Sequence, residues 1–238
     1  AKKIKPSNAN TSIYDVIKKN LMKFEDEKKL KSYVEKKGMI YLSTPFSLSA
    51  ANKLNKLGIK AFKIGSGEFN NIPLIKKIVK FKKPLILSTG MNDTKSIEKI
   101  TKLLKKLNCK FALLHCKSEY PANIKTLRLD FINVLKNKYP NVPIGYSDHS
   151  SSIIPCISAI AKGASIIEKH FTDSKKRKGP DISCSMDGKD LNFLNKSALE
   201  IFQSNGKNKT ISKIEKITAK FAFSSVVSIK NIQKGESE

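Results

Sequence analysis

The sequence predicts an α/β fold, a (β/α)8 TIM-type barrel that is incomplete, with about six βα units present. Short apolar segments alternate with helical patterns along the chain. Their starts are separated by 22, 23, 27, 32 and 22 residues, which suits βα units of a parallel sheet or barrel. Each apolar segment also ends in side chains capable of chemistry. In a parallel barrel the carboxyl ends of all strands meet at one face. An open doubly wound sheet gathers only those near its switch point. Polar ends on every strand therefore favour the barrel, and closure needs two strands more than the pattern supplies.

The candidate strands are residues 39–43, 61–64, 84–88, 111–115, 143–147 and 165–170. They are short, apolar and punctuated by Gly, Pro or Asn, as buried parallel strands tend to be. Helical patterns lie between them. Residues 25–37 lead to Gly38, a natural helix stop. Residues 93–107 put Ile97, Ile100, Leu103, Leu104 and Leu107 on one face and Lys on the other. Residues 187–202 carry Leu191, Leu194, Ala198, Ile201 and Phe202. The units share no internal repeat, which argues against a solenoid.

The strand ends run in order as Ser43-Thr44, then Lys63 with Ser66 and Glu68, then Ser88-Thr89. His115 with Ser118 and Tyr120 follows, then Ser147-Asp148-His149, then Glu168 and His170. The chain opens on Ala1-Lys2-Lys3 with no visible signal peptide and closes on Gln233 to Glu238, so both ends read as cut from something longer.

Composition narrows the function classes. The chain has 46 basic and 20 acidic residues and a net charge of +26, yet only Arg128 and Arg177 are arginines. Surfaces that read bases or fork phosphates favour Arg. Lys spread over nearly every helix reads instead as compositional drift, with non-specific binding to nucleic acid or an anionic surface as the lesser alternative. Lys175-Lys176-Arg177-Lys178 reads as a solvated loop. No specific nucleic acid and no membrane are expected as partners, since no apolar run approaches the roughly 20 residues of a membrane helix. Four cysteines at irregular spacing, without a CxxC, read as reduced thiols of a cytoplasmic protein.

His149 and His170 end consecutive strands, so a barrel makes them neighbours at its mouth. Two neutral imidazoles suit a divalent transition metal and leave positions open for substrate oxygen and water. The alternative is a pair of satisfied structural histidines. His115, within Leu113-Leu114-His115-Cys116, reads as a packing or orienting residue. Lys63 sits inside an apolar strand, where an unpaired ammonium is costly. An anionic ligand at the Gly65-Ser66-Gly67 turn would compensate it. So would a structural salt bridge to Glu68 or another carboxylate. Ser88 and Ser147 on later strands would complete a phosphate pocket.

Several strings in order resemble the N-acetylneuraminate (sialic acid) synthase family. They are Ser43-Thr44-Pro45-Phe46, Lys63-Ile64-Gly65-Ser66-Gly67-Glu68 and Leu87-Ser88-Thr89-Gly90-Met91. Leu114-His115-Cys116, Tyr120-Pro121, Gly145-Tyr146-Ser147-Asp148-His149 and Glu168-Lys169-His170-Phe171-Thr172 continue the series, followed by Gly179-Pro180-Asp181 and Phe221-Ala222-Phe223. The resemblance runs from about Ser12 to Lys234.

The resemblance implies a condensation of phosphoenolpyruvate with an open-chain N-acyl amino sugar, assisted by a divalent metal. His149 and His170 would hold Mn²⁺, with Mg²⁺ or Co²⁺ as alternatives. Lys63, Thr44, Ser66, Ser88, Ser118 and Ser147 would hold the donor's phosphate and carboxylate. Tyr120 and Asp181 would contact the sugar, and Glu68 would act as acid/base or charge stabiliser. It further implies that residues 1–210 are a partial barrel lacking its first two strands. Residues 211–238 would be a linker and the start of an antifreeze-like (SAF) domain, which in the family reaches into the partner's site of a domain-swapped homodimer. The acceptor expected first is N-acetylmannosamine. The alternatives are a related sugar leading to legionaminic or pseudaminic acid, a barrel aldolase with Lys63 as Schiff base, and a non-catalytic basic anion-binding barrel.

Overall fold

A computed structural model describes residues 4–5 and 11–236; the Ala1-Lys2-Lys3 start and the final Ser237-Glu238 of the sequence reading lie outside them. The chain forms two compact units, residues 1–202 and residues 203–238.

The first unit is built on five parallel strands in sequential order: β1 (Phe62–Ile64), β2 (Leu85–Ser88), β3 (Phe111–Cys116), β4 (Ile144–Asp148) and β5 (Ile167–Lys169). Helices α1 (Ile13–Lys19), α2 (Phe24–Lys36) and α3 (Leu48–Leu57) precede β1. Helices α4 (Ile72–Val79), α5 (Thr94–Lys106), α6 (Phe131–Lys138) and α7 (Ile154–Ala161) connect the strands, and α8 (Gly188–Ser204) follows.

The sheet is curled into a half-barrel. Lys63 on β1 reaches Glu168 on β5 at 3.2 Å, although three strands lie between them. In a flat sheet those backbones would stand roughly 19 Å apart, beyond the joint reach of the two side chains. The curl gives each strand an inner and an outer face. Phe62, Ile64, Leu85, Leu87, Leu113 and Tyr146 point outward and are fully buried with Ile75 and Ile78 of α4, Ile97 and Leu104 of α5, Ile132 of α6 and Ala159 of α7. That layer is the hydrophobic core, and truncating one of its leucines to Ala costs about 2–5 kcal/mol. The inner face carries Lys63, Ser88, Ser147 and Glu168.

Local chemistry explains the boundaries. Asp93 caps α5 by accepting from Ser96 N at 2.8 Å, and Asn71 caps α4 from Leu74 N at 3.1 Å. Gly38 ends the α2 region at φ 75° and Gly58 ends α3 at φ 78°, the left-handed conformation glycine adopts without strain. Pro84 and Pro143 stand just before β2 and β3's neighbour β4, where their carbonyls accept from Phe62 N and Leu113 N at 3.0 Å and no N–H is needed.

One expected strand does not form. Residues 39–43 have no regular secondary structure and make no ladder to β1 among the described residues, and β1 pairs with β2 alone. Met39 N turns back to Val34 O at 3.2 Å, and Met39 and Ile40 are exposed. A parallel strand exists only through its neighbour's hydrogen bonds, and here Met39 N is already turned to helix α2. Tyr41 anchors it by donating to Glu27 Oε1 at 3.0 Å.

In the second unit, α9 (Lys213–Ala222) opens with a reciprocal cap: Ser212 Oγ accepts from Glu215 N, and Glu215 accepts from Ser212 N. Among the described residues no helix is long and apolar enough to cross a membrane.

Candidate active site

The carboxyl ends of the strands open into a cavity of about 470 Å³. Strand alternation decides what faces it. Ser147 pairs in register with Glu168, so both lie on the inner face, and His149 and His170 follow two residues later on the same side. Lys63 joins them from β1 and Ser88 from β2. Thr44, Ser66, Ser88, Ser118, Tyr120, Ser147, Lys63 and both histidines all line the cavity.

Lys63 is well supplied with acceptors. Its Nζ donates to Ser88 Oγ at 2.8 Å and Ile64 O at 3.2 Å and lies 3.2 Å from Glu168 Oε1, its side chain only 12% exposed. Ser88 Oγ in turn donates to Glu168 Oε2 at 3.0 Å. Burial works to raise the Glu168 pKa, but Lys63, Ser147 and Ser88 outweigh it and hold the carboxyl below its ordinary range. Of the two compensations open for Lys63, the structure thus contains the salt bridge, with Glu168 as the carboxylate. Glu168 was visible in the sequence only as a strand end. What assigns it is the curl that brings β5 to β1.

Glu68 sits elsewhere. It ends the 3-10 turn Ser66–Glu68, and its Oε2 accepts from Asn71 Nδ2 at 2.6 Å, outside the cavity lining. Asp181 is also not among the lining residues, with Oδ2 3.8 Å from His170 Nδ1.

The histidines converge. Their ring centroids are 5.3 Å apart, and Tyr120 packs on His149 at 4.2 Å and edge-on to His170 at 5.9 Å. His149 Nδ1 lies 2.8 Å from the Lys117 carbonyl, so Nδ1 carries the hydrogen and Nε2 is left with its lone pair. Burial pushes the His149 pKa down, but Cys116, the Lys117 carbonyl and Glu168 overcome it and the net direction is up. Burial dominates at His170 and lowers it, against Asp181. Cys116 lies 3.8 Å from His149 Nδ1, which with Ser66 carries its thiol below the ordinary range despite burial. Among the described residues no group of three or more His, Cys, Asp or Glu is arranged to hold a metal ion. A metal here would take two imidazole nitrogens from the protein and complete its shell with substrate or water. His115 is not part of this group. Its Nε2 meets the Leu127 carbonyl at 2.7 Å, and it packs on Phe131 and Tyr146, on the outer face.

The turn after β2 is built tightly against the cavity. Gly90 N donates to Ser66 Oγ at 3.0 Å, and a Cβ at Gly90 would stand 2.2 Å from Ser118 Oγ. Asn92 Nδ2 bridges Gly90 O at 2.7 Å and Ser66 O at 3.2 Å. Met91, held between them at φ 61°, is 74% exposed and lines the mouth with Phe46.

The chain has relatives among known proteins and solved structures. The N,N'-diacetyllegionaminic acid synthase of Campylobacter jejuni is 37% identical, over 98% of this chain and 71% of that protein. The N-acetylneuraminate-9-phosphate synthase of Drosophila melanogaster is 39% identical, over 64% of this chain and 43% of that one. Against an uncharacterized protein of Methanocaldococcus jannaschii the identity is 37%, and the chain spans 66% of its length. The crystal structure of a sialic acid synthetase from Leptospira borgpetersenii, in complex with citrate, superposes with a TM-score of 0.81 at 34% identity, covering 87% of this chain and 74% of that one. The model of the NeuB family matches residues 1–210, and with these relatives and this scaffold the chain belongs to the NeuB family.

Proposed function

We propose that this chain is the barrel portion of a sialic-acid-type synthase. The reaction joins phosphoenolpyruvate to N-acetylmannosamine, as its open-chain aldehyde, and gives N-acetylneuraminate and phosphate. One observation carries the reading: an ammonium, a hydroxyl and a carboxylate are hydrogen-bonded in series beside two converging imidazoles in one cavity.

In this reading Lys63, Ser66, Ser88, Ser118, Ser147 and Thr44 take the phosphate and carboxylate of the donor. The three N–H donors of Lys63 already have acceptors, so an entering anion displaces Ser88 or shares Lys63 with Glu168. The enol carbon then forms the new bond to the aldehyde carbon with its π pair, while the C=O π pair moves to the aldehyde oxygen, which takes up a proton that balances the one later lost by the added water. The positive charge that develops on the adjacent carbon faces Glu168. Water adds there and loses a proton, and the tetrahedral intermediate collapses with loss of phosphate. Glu68, held by Asn71 outside the cavity lining, would have to turn toward the cavity to do the acid–base work assigned to it, and Tyr120 and Asp181 bind the sugar.

His149, through the bare Nε2, and His170 would hold a divalent ion, Mn²⁺ first and Mg²⁺ or Co²⁺ otherwise. When bound, that ion supplies Lewis-acid help to the aldehyde oxygen. The whole protein, longer than this chain by comparison with its relatives, would act as a domain-swapped homodimer in the cytoplasm.

The test follows phosphate release from phosphoenolpyruvate by the full-length protein with Mn²⁺ and N-acetylmannosamine, beside a chelator control. Metal-dependent release supports the reading. Release only with a diamino sugar keeps the chemistry and changes the product to a legionaminic or pseudaminic type. A folded, metal-loaded protein that releases phosphate with none of the sugars would sink it.

A further inference from the structure

Behind the two histidines lies a buried charge network that the proposed reaction does not use. Asp148 and Lys169 face each other across β4 and β5 in register, and their side chains are 0% and 2% exposed. Lys169 Nζ donates to Asp148 Oδ2 at 2.5 Å and to Ser150 O at 2.8 Å. Asp148 accepts four further hydrogen bonds: from Tyr146 Oη at 2.9 Å, Ser150 N at 3.0 Å, Ser150 Oγ at 3.0 Å and Cys156 Sγ at 3.4 Å. The carboxylate is satisfied from its own strand, from the chain after it, from α7 and from β5.

Two features separate this pair from ordinary core. Replacing a buried ion pair by apolar residues is often neutral or stabilising, so the desolvation it costs is poorly explained by stability alone. Its place in the ladder is also particular. Asp148↔Lys169 is the last register pair between β4 and β5, and His149 and His170 are the next residue on each strand. Beyond that rung the strands part. The His149 carbonyl accepts from Ala122 N at 2.8 Å, while the His170 carbonyl accepts from Met186 N at 2.9 Å. The backbones of the two histidines are therefore drawn toward different loops, and the pair is the last direct tie between them.

We propose that Asp148 and Lys169 are positioning residues: their ion pair locks the tips of β4 and β5 so that the His149 and His170 rings face one point. The choice of a divalent ion at that point rests on the functional reading above; the locking of the rings does not. Both residues border the cavity, but their side chains are buried on the outer side of the strands while the rings are on the inner, so the pair acts on the rings through the backbone.

Lys169→Met alone strands a buried carboxylate and is expected to fold poorly. The test therefore compares the wild-type chain with Asp148→Asn/Lys169→Met, which is neutral and near-isosteric, and with Lys169→Arg, which keeps the charge and moves its donors. Folding is checked by circular dichroism and cooperative melting. Two readouts follow. One is the ring ¹⁵N spectrum of metal-free protein above the imidazole titration range, where wild-type His149 should show the Nδ1–H tautomer. The other is Mn²⁺ affinity from the free-ion paramagnetic resonance signal. The folded variants should show averaged His149 tautomers and bind Mn²⁺ at least about tenfold more weakly, the scale seen when partners behind metal ligands are removed. A folded variant of either kind with wild-type ring signals and wild-type Mn²⁺ affinity would overturn the proposal. A wild type that binds no Mn²⁺, but whose His149 tautomer is lost in the variants, would remove the metal reading and leave the positioning role supported.

Discussion

Lys63 and Glu168 are useful because they are coupled. Each is the other's counter-charge, and Ser88 bridges them, so a change at one is felt at both. Lys63→Ala should raise the KM for phosphoenolpyruvate about 10–100-fold, the scale of one lost charge-assisted contact of roughly 1.5–3 kcal/mol. Calorimetric titration of the donor checks it, and unchanged affinity would take Lys63 out of the anion pocket. The same pair gives an acid-side signature. The folded-state Glu168 pKa is depressed, so its contribution to stability is complete above the unfolded carboxylate value and is lost as pH falls through the lower folded value. Other carboxylates, such as Glu98, held near 2 by Lys102 and Lys138, act in the same direction, so the useful quantity is a difference. Glu168→Gln should flatten the fall of Tm with pH on the acid side relative to wild type. Parallel Tm–pH curves for the two proteins would mean the pair is not formed in solution.

At the scale of elements, the site depends on turns packed without spare room. Gly90 is not in the left-handed region, so space is what excludes a side chain there: the Cβ of alanine would meet Ser118 Oγ at 2.2 Å, Ser66 Oγ at 2.8 Å and Cys116 Sγ at 3.0 Å. Gly90→Ala should cost about 1–3 kcal/mol in urea unfolding, the usual range for overpacking, and should weaken donor binding because Ser66 and Ser118 line the cavity. A loss of stability with full donor affinity would show that the turn serves packing alone. The elements themselves were largely legible. Residues 93–107 announced α5 by apolar spacing, and five of the expected strands stand where short apolar runs meet Gly or Pro. Residues 39–43 misled because their run looks the same, and whether it becomes a strand depends on a partner's hydrogen bonds, which no local pattern contains. The histidine pair was legible because consecutive parallel strands are neighbours by default. Glu168 and the Asp148–Lys169 pair were not given roles, since each depends on a contact that only curl and register create. Glu68, five residues from Lys63, looked nearer in sequence than Glu168 and stands farther in space.

On the scale of the whole molecule, a net charge of +26 raises a question that the cavity alone does not answer. Such a surface attracts any polyanion, and it repels itself. Both effects are long-ranged and are screened over about 10 Å at 0.1 M salt. The Lys63 ammonium is different in kind, because it is largely shielded (12% exposed), paired with the half-exposed Glu168 and fixed by three acceptors. The two sorts of charge are separable. Retention on a heparin or duplex-DNA column should fall steeply with salt, following counterion release, and should be the same for wild type and Lys63→Ala. Binding of phosphoenolpyruvate should fall less over the same salt range, because partly buried charges are screened less than exposed ones, and should be impaired by Lys63→Ala. Moderate salt should also raise Tm, as self-repulsion is relieved. If polyanion binding instead tracked Lys63, or the donor displaced the polyanion, the cavity itself would be the polyanion site, and the basic anion-binding barrel would become the better account. If the two behave independently, the excess lysine belongs to the surface, and the specificity belongs to the few groups that the curl of the sheet brings together.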